Sequence, residues 1–310
     1  MLQTVQLGKT DLHVVPVGLG TNAVGGHNIF PNLDDQVGKN VVKTALDEGI
    51  NFLDTAFIYG PERSEELIGE VLTETGQRSD VILATKGAHK IVDGEVTLVN
   101  TPSFLKQSVD ESLRRLQTDY IDLFYIHFPD ETTQKSEAVG ALKELRDAGK
   151  IRTIGVSNFS LEQLKDANQD GYVDVVQDEF NLLKRQAENT LLPYCIENDI
   201  SFIPYFPLAS GLLSGKYDEH STFEDGRANH PLFQGKTYQQ NIAKVNELKK
   251  IANHKKIEVA HLVLSWYLHH EAIDVVIPGA KQPEQVLRNL KTIDVSLTSE
   301  EFAQIDAIFR

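Results

Sequence analysis

Three residue types are almost missing from this sequence. Its 310 residues include one cysteine, one methionine and one tryptophan. A single cysteine, Cys195, cannot form an internal disulfide, which excludes a disulfide-stapled extracellular scaffold. Basic residues are also scarce, because 30 lysines and arginines stand against 45 acidic residues, for a formal net charge of −15. Such a charge repels phosphate backbones and anionic lipid, so we expect a small-molecule partner instead of nucleic acid or a membrane.

Long hydrophobic runs are absent as well. No segment offers the about 20 apolar residues of a membrane-spanning helix, and the N-terminus does not resemble a signal peptide. We therefore expect a protein of the reducing cytoplasm. Apolar residues make up 41 % of the chain and charged residues 24 %, which is typical of a globular protein with a sizeable core and not of a disordered chain.

Short apolar segments recur along the chain with helical patterns between them. A hairpin is predicted first, with strands at 4–7 and 12–15 around a turn that contains Gly8. Eight nearly continuous apolar runs follow, as expected for parallel strands covered on both faces, at residues 14–19, 51–54, 81–86, 120–127, 153–157, 173–177, 201–205 and 274–279.

The intervening segments carry the end signals of helices. Ser160 and Thr298 begin capping boxes, Pro102 opens a segment with one apolar stripe, and Gly149 ends another helix. Eight parallel strands with helices between them are best closed into a barrel, because closure removes both sheet edges. We predict a single (β/α)8 TIM barrel domain over residues 1–310, with an N-terminal β-hairpin and long loops at 87–100 and 207–236.

Polar side chains end three neighbouring apolar runs. Active sites of such barrels lie at the C-terminal ends of the strands. There the second run ends in Asp54, the third in Lys86 and the fourth in His127. Tyr59 follows Asp54 by five residues, so its loop can fold back over the same mouth. We predict that these four residues form one catalytic site, and we predict no metal.

This set of side chains suits proton donation to a carbonyl oxygen that receives a hydride. Tyr59 is the expected donor, and Lys86 as a cation beside it would lower the phenol pKa from its ordinary value of about 10. Asp54 would keep Lys86 charged, and His127 would hold and polarise the carbonyl. The hydride must come from a bound cofactor, because no side chain carries one.

Longer motifs around these residues carry a resemblance to a known family. They span nearly the whole chain: Gly18-Leu-Gly20-Thr21-Asn22, Asp54-Thr-Ala-Phe-Ile-Tyr59-Gly, Ala84-Thr-Lys86, 119–127 ending in His127, 149–159 with Ser157-Asn158, Gln177, 205–216 from Tyr205 to Lys216, and Ile277-Pro-Gly279-Ala-Lys281. In type and order they resemble the aldo-keto reductase family, whose members reduce carbonyls with NADPH on this barrel. The stretches 25–28 and 127–130 are most similar to its bacterial IolS-like branch.

The resemblance implies an NADP(H) molecule extended across the barrel mouth. Ser157, Asn158 and Gln177 would hydrogen-bond the nicotinamide carboxamide, with Tyr205 stacked on the ring. The other implied contacts are Thr21, Asn22 and Asp54 at the ribose, Leu208, Gly211 and Lys216 at the pyrophosphate, and Lys281, Gln285, Asn289 and Arg227 toward the adenosine. Gly20 and Gly279 are further implied cofactor contacts. A cation at Lys281 favours NADP over NAD, because only NADP carries a 2′-phosphate.

Two other functions stay open. In a Schiff-base aldolase Lys86 would be the nucleophile, but the cofactor motifs would then be unexplained. A nicotinamide-sensing protein with slow turnover would keep the same residues. A Rossmann fold is disfavoured, because Gly25-Gly26 follows Gly18-Leu-Gly20 where a helix should open. Phe30, Phe57 and Phe128 are expected pocket walls, and Trp266 is expected in the core.

Overall fold

The computed structural model describes residues 2–310. Its strands are β1 Val5–Gln6, β2 His13–Val14, β3 Leu19–Gly20, β4 Phe52–Asp54, β5 Ile82–Gly87, β6 His89–Val92, β7 Glu95–Leu98, β8 Ile121–Ile126, β9 Ile151–Ser157, β10 Val175–Glu179 and β11 Ser201–Tyr205. Its α-helices are α1 Asp35–Asp47, α2 Arg63–Thr75, α3 Pro102–Leu116, α4 Lys135–Asp147, α5 Leu161–Ala167, α6 Leu191–Glu197, α7 Gly235–Lys255, α8 Val259–Tyr267, α9 Pro283–Leu290 and α10 Ser299–Phe309.

Seven parallel strands form the barrel wall, in the order β3-β4-β5-β8-β9-β10-β11. The predicted eighth strand at 274–279 is not a regular strand, but isolated parallel bridges join Val276 to Val17 and Gly279 to Gly20. Pro278 has no N–H to donate, which limits ladder pairing in this segment. On the opposite side, the chain just before this segment contacts β11. There the Phe202 N–H donates to the Ala272 carbonyl at 2.6 Å. The wall therefore closes, and the predicted (β/α)8 barrel is confirmed.

Side chains along each strand alternate between two apolar cores. Leu53 and Phe124 belong to the core between the strands and the surrounding helices. Phe52 and Leu123 belong to a second core inside the barrel. This alternation follows from the period of two residues in a strand. The apolar runs look continuous in sequence because both faces of each strand are buried.

The N-terminal hairpin closes the bottom of the barrel with the apolar residues on either side of its turn. β1 and β2 pair antiparallel, with Val5 opposite Val14, which confirms the predicted hairpin. Leu7 and Leu12 are buried in the barrel-interior core. Water is thereby excluded from the end of the barrel opposite the predicted site.

Helix ends match the sequence signals. Capping boxes are formed by Ser160 with Gln163 and by Thr298 with Glu301, as predicted. Pro102 occupies the first turn of α3, and Gly149 follows α4 with a φ of 75°. Trp266 is fully buried on α8, as expected for a core residue.

The two predicted long loops contain structure of their own. The loop at 87–100 is largely the antiparallel β6–β7 hairpin, whose turn residues Asp93 and Gly94 have φ values of 52° and 82°. The segment 207–236 is a series of 3₁₀ turns, Ala209–Ser214, Gly226–Asn229 and Pro231–Phe233, before α7 begins. Within residues 2–310, no helix has the length and apolarity needed to cross a bilayer. The single-domain division stays a prediction.

Candidate active site

The inward face of the barrel strands changes from apolar to polar at the C-terminal end. Phe52, Leu123 and Ile203 point into the interior core. The polar residues lie one or two inward positions further on along their strands, at Asp54, Lys86, His127, Gln177 and Tyr205. Because alternate residues share a face, these side chains meet at one mouth.

Asp54 and Lys86 form a buried ion pair at the centre of this mouth. Lys86 Nζ donates to Asp54 Oδ1 at 2.5 Å and to the Thr55 carbonyl at 2.7 Å. Gln177 Nε2 donates to the other oxygen, Asp54 Oδ2, at 2.9 Å. Burial acts to lower the pKa of Lys86, but the charges and hydrogen bonds of Asp54 and Tyr59 together outweigh it, and the pKa is raised above its ordinary value. Lys86 is therefore held as a cation.

Tyr59 lies over this pair on the loop between β4 and α2. Lys86 Nζ is 5.4 Å from the centroid of the Tyr59 ring. The loop is held by Asn28, whose Nδ2 donates to the Ile58 carbonyl at 3.0 Å and whose Oδ1 accepts from the Gly60 N–H at 2.7 Å. Gly60 has a φ of 73°, and a Cβ there would lie 1.8 Å from the Gly25 carbonyl oxygen, so only glycine fits.

The expected lowering of the Tyr59 pKa is not the net result. Burial raises the pKa of Tyr59 above its ordinary value, and the charge of Lys86 opposes that effect only in part. The sequence identified the Lys86 contribution correctly but could not show how deeply the phenol is buried. The consequence is a phenol that stays protonated across neutral pH, as a proton donor must.

His127 completes the predicted set beside Tyr59. The two ring centroids are 6.2 Å apart and nearly perpendicular. Burial, Lys86 and His89 all lower the pKa of His127 well below its ordinary value, so the imidazole is neutral. A neutral imidazole carries one N–H, which can donate to a carbonyl oxygen. The structure thus brings all four predicted catalytic residues to one mouth.

The residues expected at the nicotinamide carboxamide are linked to this set. Asn158 has a φ of 61°, and its Nδ2 donates to the His127 carbonyl and to Ser157 Oγ, both at 3.0 Å. Tyr205 donates its hydroxyl to Asn158 Oδ1 at 2.7 Å. Gln177 is adjacent, although its amide nitrogen is already used by Asp54. These four residues line one side of the mouth.

Thr21 and Asn22, both expected at the ribose, have different surroundings. Thr21 is fully buried, and its hydroxyl donates to the Asp54 carbonyl at 2.9 Å. Its side chain therefore supports Asp54, and the contact of Thr21 with the ribose stays a prediction. Gly20 and Gly279 lie opposite each other where the barrel closes, with Asn22 Oδ1 3.2 Å from the position of a Cβ at Gly279.

Three cations gather at the expected phosphate end. Burial lowers the pKa of Lys281, and the charges of Arg227 and Lys216 add to this effect. Arg227 is paired with Asp225 and bonded to the Tyr217 hydroxyl. Such a cluster of like charges is unfavourable by itself and fits a phosphorylated ligand.

The remaining expected cofactor residues surround this cluster. A Cβ at Gly211 would lie 3.0 Å from Lys216 Nζ, so the backbone and the amine are close. Leu208 packs against the outer core. Gln285 Oε1 accepts from the Lys281 and Gln282 N–H groups as part of a capping box on α9, and Asn289 is buried on the same helix. Beside Lys281 lies a cleft of about 140 Å³, lined also by Ala23, Gln282 and residues in 31–38.

Of the three phenylalanines expected as pocket walls, Phe128 lies against a catalytic side chain. Phe128 is 5.1 Å from His127 between ring centroids. Phe57 instead stacks against the guanidinium of Arg115 at 5.2 Å, and Phe30 lies under Lys281 Nζ at 4.0 Å. The role of all three residues as pocket walls stays a prediction, and the cationic neighbours of Phe57 and Phe30 are distant in sequence.

Two residues of the site were missed in the sequence. His89 lies against His127, with ring centroids 4.9 Å apart, and was hidden in a segment interpreted as a loop. The dipeptide Asp93-Gly94 between strand-forming residues could have revealed the hairpin that carries it. Asn28 was noted only as part of a motif, because its role depends on contacts with Ile58 and Gly60.

Comparison with known proteins identifies this barrel. A family model described as "Aldo/keto reductase family" matches residues 16–310. The chain belongs to the aldo/keto reductase family. The proposed IolS-like branch stays a prediction.

Several members of the family are similar along their whole length. Aldo-keto reductase YhdN of Bacillus subtilis is 37 % identical over 99 % of this chain and 93 % of its own. The NADH-specific methylglyoxal reductase of Escherichia coli is 31 % identical over 97 % and 96 %.

Solved structures agree with the fold. The glycerol dehydrogenase AKR11B4 of Gluconobacter oxydans superposes with a TM-score of 0.92, at 34 % identity over 99 % of this chain and 94 % of that one. An aldo/keto reductase of Klebsiella pneumoniae, solved in complex with NADP and acetate, has a TM-score of 0.74 at 29 % identity over 100 % and 96 %.

Proposed function

We propose that this aldo/keto reductase interconverts a carbonyl and an alcohol with NADP(H), using Tyr59 as the general acid. The observation that carries the proposal is the buried Asp54–Lys86 pair directly beside Tyr59 and His127 at the open end of the barrel. A buried charge pair is costly unless it has a purpose or excellent partners. Strongly perturbed ionisable groups that meet in a barrel mouth indicate a catalytic site.

Each of the four side chains has a distinct task in reduction. NADPH, when bound, supplies the hydride that forms the new C–H bond at the carbonyl carbon. Tyr59 donates its proton to the carbonyl oxygen, and Lys86 stabilises the phenolate that remains. Asp54 keeps Lys86 charged and oriented, and His127 donates a hydrogen bond that holds the carbonyl. In alcohol oxidation Tyr59 takes the proton back.

The cofactor fits the residues at the outer end of the mouth. Lys216, Arg227 and Lys281 provide positive charge for the pyrophosphate and the 2′-phosphate. Tyr205, with its hydroxyl anchored on Asn158, offers a ring face for the nicotinamide. We propose NADP(H) over NAD(H) on the strength of Lys281.

We propose small, oxygen-rich carbonyl compounds as the substrate class. Two relatives are described as a methylglyoxal reductase and a glycerol dehydrogenase, whose named substrates have three carbons. At the mouth of this chain the rings of Tyr59, His127, His89 and Phe128 lie against one another. We also propose a cytoplasmic location, which the single free, buried thiol of Cys195 supports.

The same ion pair argues against the alternative of a Schiff-base aldolase. An amine must lose its proton before it can attack a carbonyl. Lys86 is held as a cation by Asp54 and has its pKa raised, which is the opposite of what a nucleophilic lysine needs.

Replacing Tyr59 by Phe tests the proposal. The change removes the donated proton but keeps the ring, so we expect carbonyl-dependent NADPH oxidation to fall about 10²- to 10⁴-fold. The dissociation constant of NADPH, measured by fluorescence titration, should change by less than about threefold. Turnover equal to that of the wild type would overturn the assignment of Tyr59.

A further inference from the structure

A second imidazole lies at the catalytic mouth beside His127. His89 is the first residue of β6, and its ring meets that of His127 edge to face, with centroids 4.9 Å apart. The same ring lies 5.6 Å from Phe128. In both histidines Nδ1 is buried without a hydrogen-bond partner in the protein. Buried polar atoms of this kind are rare and require an explanation.

The hairpin that carries His89 turns one face to the mouth. His89 pairs with Leu98, and Ile91 pairs with Val96, so these four side chains share a face of the β6–β7 ribbon. Ile91, Val96 and Leu98 are 38 %, 51 % and 39 % exposed, which is high for such side chains. Since His89 on this face touches His127, the ribbon extends the mouth outward from the catalytic residues as a wall with an imidazole at its base.

We propose that His89 is a specificity-determining residue that hydrogen-bonds an oxygen on the carbon next to the reacting carbonyl. The proposal rests on the function proposed above. Two imidazoles with centroids 4.9 Å apart can each reach one of two oxygens on adjacent carbons. His127 would take the reacting oxygen, and His89 its neighbour. The substrate class is thereby narrowed to 2-hydroxy and 2-oxo aldehydes and ketones.

The chemistry of His89 suits both kinds of oxygen. Burial lowers the pKa of His89 to about 4, so the ring is neutral at pH 7. A neutral imidazole has one nitrogen that donates and one that accepts. It can therefore donate to a ketone oxygen, or exchange donor and acceptor with a hydroxyl group.

Selectivity arises because an apolar substrate would leave a nitrogen of His89 without a hydrogen-bond partner. A substrate with a methyl group in place of the hydroxyl leaves a buried imidazole nitrogen without a partner in the closed complex. Leaving such an atom unsatisfied costs about 1–3 kcal/mol, and sites built to bind a hydroxyl reject analogues that lack it. Phe128, on the other side of His89, offers no compensating hydrogen bond.

The test compares hydroxyacetone with butanone, which has the same number of heavy atoms but no hydroxyl group. kcat/KM is measured for both in the wild type, His89→Phe and His89→Gln. We expect the wild type to favour hydroxyacetone, and His89→Phe to lower the hydroxyacetone-to-butanone ratio about 5- to 100-fold, mainly through the KM for hydroxyacetone. His89→Gln keeps a donor and an acceptor and should retain part of the wild-type hydroxyacetone-to-butanone ratio.

A matched control is available on the far side of the molecule. His269 stacks on Phe302 at 4.5 Å between centroids, so His269→Phe makes the same change outside the mouth and should keep the wild-type ratio. An unchanged ratio in His89→Phe, or a wild type without preference for hydroxyacetone, overturns the role of His89. If His89→Phe does not fold, a ratio in His89→Gln equal to the wild-type ratio supports a hydrogen bond from this position, and a lost ratio overturns it.

The proposed function has a separate readout in the same experiment. Reduction of butanone by the wild type and the variants shows a working reductase even where the hydroxyacetone preference is absent, so that result overturns only the role of His89. Failure of the wild type to oxidise NADPH with any carbonyl overturns the proposed function, and the role of His89 with it.

Discussion

Asp54 links several residues of the catalytic mouth through hydrogen bonds. One of its carboxylate oxygens accepts from Lys86 and the other from Gln177. Its own carbonyl accepts from the Thr21 hydroxyl at 2.9 Å. Asp54 thus connects β4 with β5, with β10 and with the residue after β3, and its position at the end of β4 makes those contacts possible. Removing it would leave Lys86 as an uncompensated buried charge.

The pH dependence of reduction follows from the direction of two pKa shifts. The pKa of Tyr59 is raised, so the proton donor stays protonated well above neutral pH, and the pKa of His127 lies well below 6.5, so its ring stays neutral above that pH. We expect kcat for reduction at saturating NADPH to vary less than about threefold between pH 6.5 and 9. A pH–rate profile with a step of tenfold in this range would contradict the account.

Lys281 offers a test of cofactor choice at a single residue. A charged hydrogen bond to a phosphate is worth about 1.5–3 kcal/mol, so Lys281→Ala should weaken NADPH binding about 10- to 100-fold and NADH binding by less than threefold. Fluorescence titration with both cofactors measures the two effects. Lys250→Ala, at an exposed ion pair on α7, is the matched control. An equal loss of affinity for both cofactors would mean that Lys281 does not bind the 2′-phosphate.

Among the elements, the loop between β4 and α2 carries the proton donor. Asn28 bonds to the backbone on both sides of Tyr59, at Ile58 and Gly60. These bonds connect it to the loop that follows β3. The position of the phenol is therefore determined by a residue about thirty positions earlier in the chain.

Removing this support should slow the chemical step. In Asn28→Ala both hydrogen bonds are lost, and a shift of about 1 Å in a catalytic group can reduce the rate about 10²-fold. We expect kcat to fall about 10- to 100-fold while the far-ultraviolet circular dichroism stays that of the wild type. Asn253→Ala, at an exposed position on α7, controls for the loss of an amide. A kcat within twofold of the wild type would show that Asn28 does not position Tyr59.

The sequence was most informative for elements with buried strands and chemically marked ends. The seven ladder strands and the capping boxes at Ser160 and Thr298 were predictable, because their signals are local. The segment 274–279 was wrong as a regular strand, because apolar character alone does not reveal the lost donor at Pro278. The β6–β7 hairpin was missed because its strands are only four residues long and largely exposed.

The site was predictable to the same degree and for the same reason. Asp54, Lys86 and His127 end apolar runs, so the barrel topology alone brings them together. The bond between Gln177 and Asp54 joins residues 123 positions apart, and no local pattern announces it. The burial of Tyr59, which reverses the expected direction of its pKa shift, also depends on packing.

At the scale of the whole molecule, the partly buried ring of His270 packs among aromatic side chains of the core between the strands and the helices. His270 lies 4.5 Å from Trp266 and 5.5 Å from Phe180 between ring centroids. Burial and the charge of Arg185 lower its pKa to about 4. The unfolded chain therefore binds the proton more readily than the folded one. This contribution to stability is complete above the unfolded pKa of about 6.5 and is lost as the pH falls toward 4.

The free energy of unfolding should therefore depend on pH through His270. Between pH 8 and 5.5 we expect His270 to account for about 1 kcal/mol of lost stability, measured by urea unfolding. His270→Phe keeps a ring in the core and removes the proton, so its loss over the same interval should be smaller by that amount. Carboxylates and the other histidines contribute equally to both proteins. Identical pH dependence in the two would contradict a buried neutral His270.

The proposed function requires Tyr59, Lys86, Asp54 and His127 to act together on a carbonyl beside bound NADPH. Stopped-flow mixing of the NADPH complex with methylglyoxal, in the wild type and in Tyr59→Phe, isolates a single turnover. We expect rapid loss of NADPH absorbance in the wild type and a rate at least about 100-fold lower in the variant. NADPH that stays reduced in the wild type with methylglyoxal and with a panel of other aldehydes would contradict the claim and would favour a nicotinamide sensor.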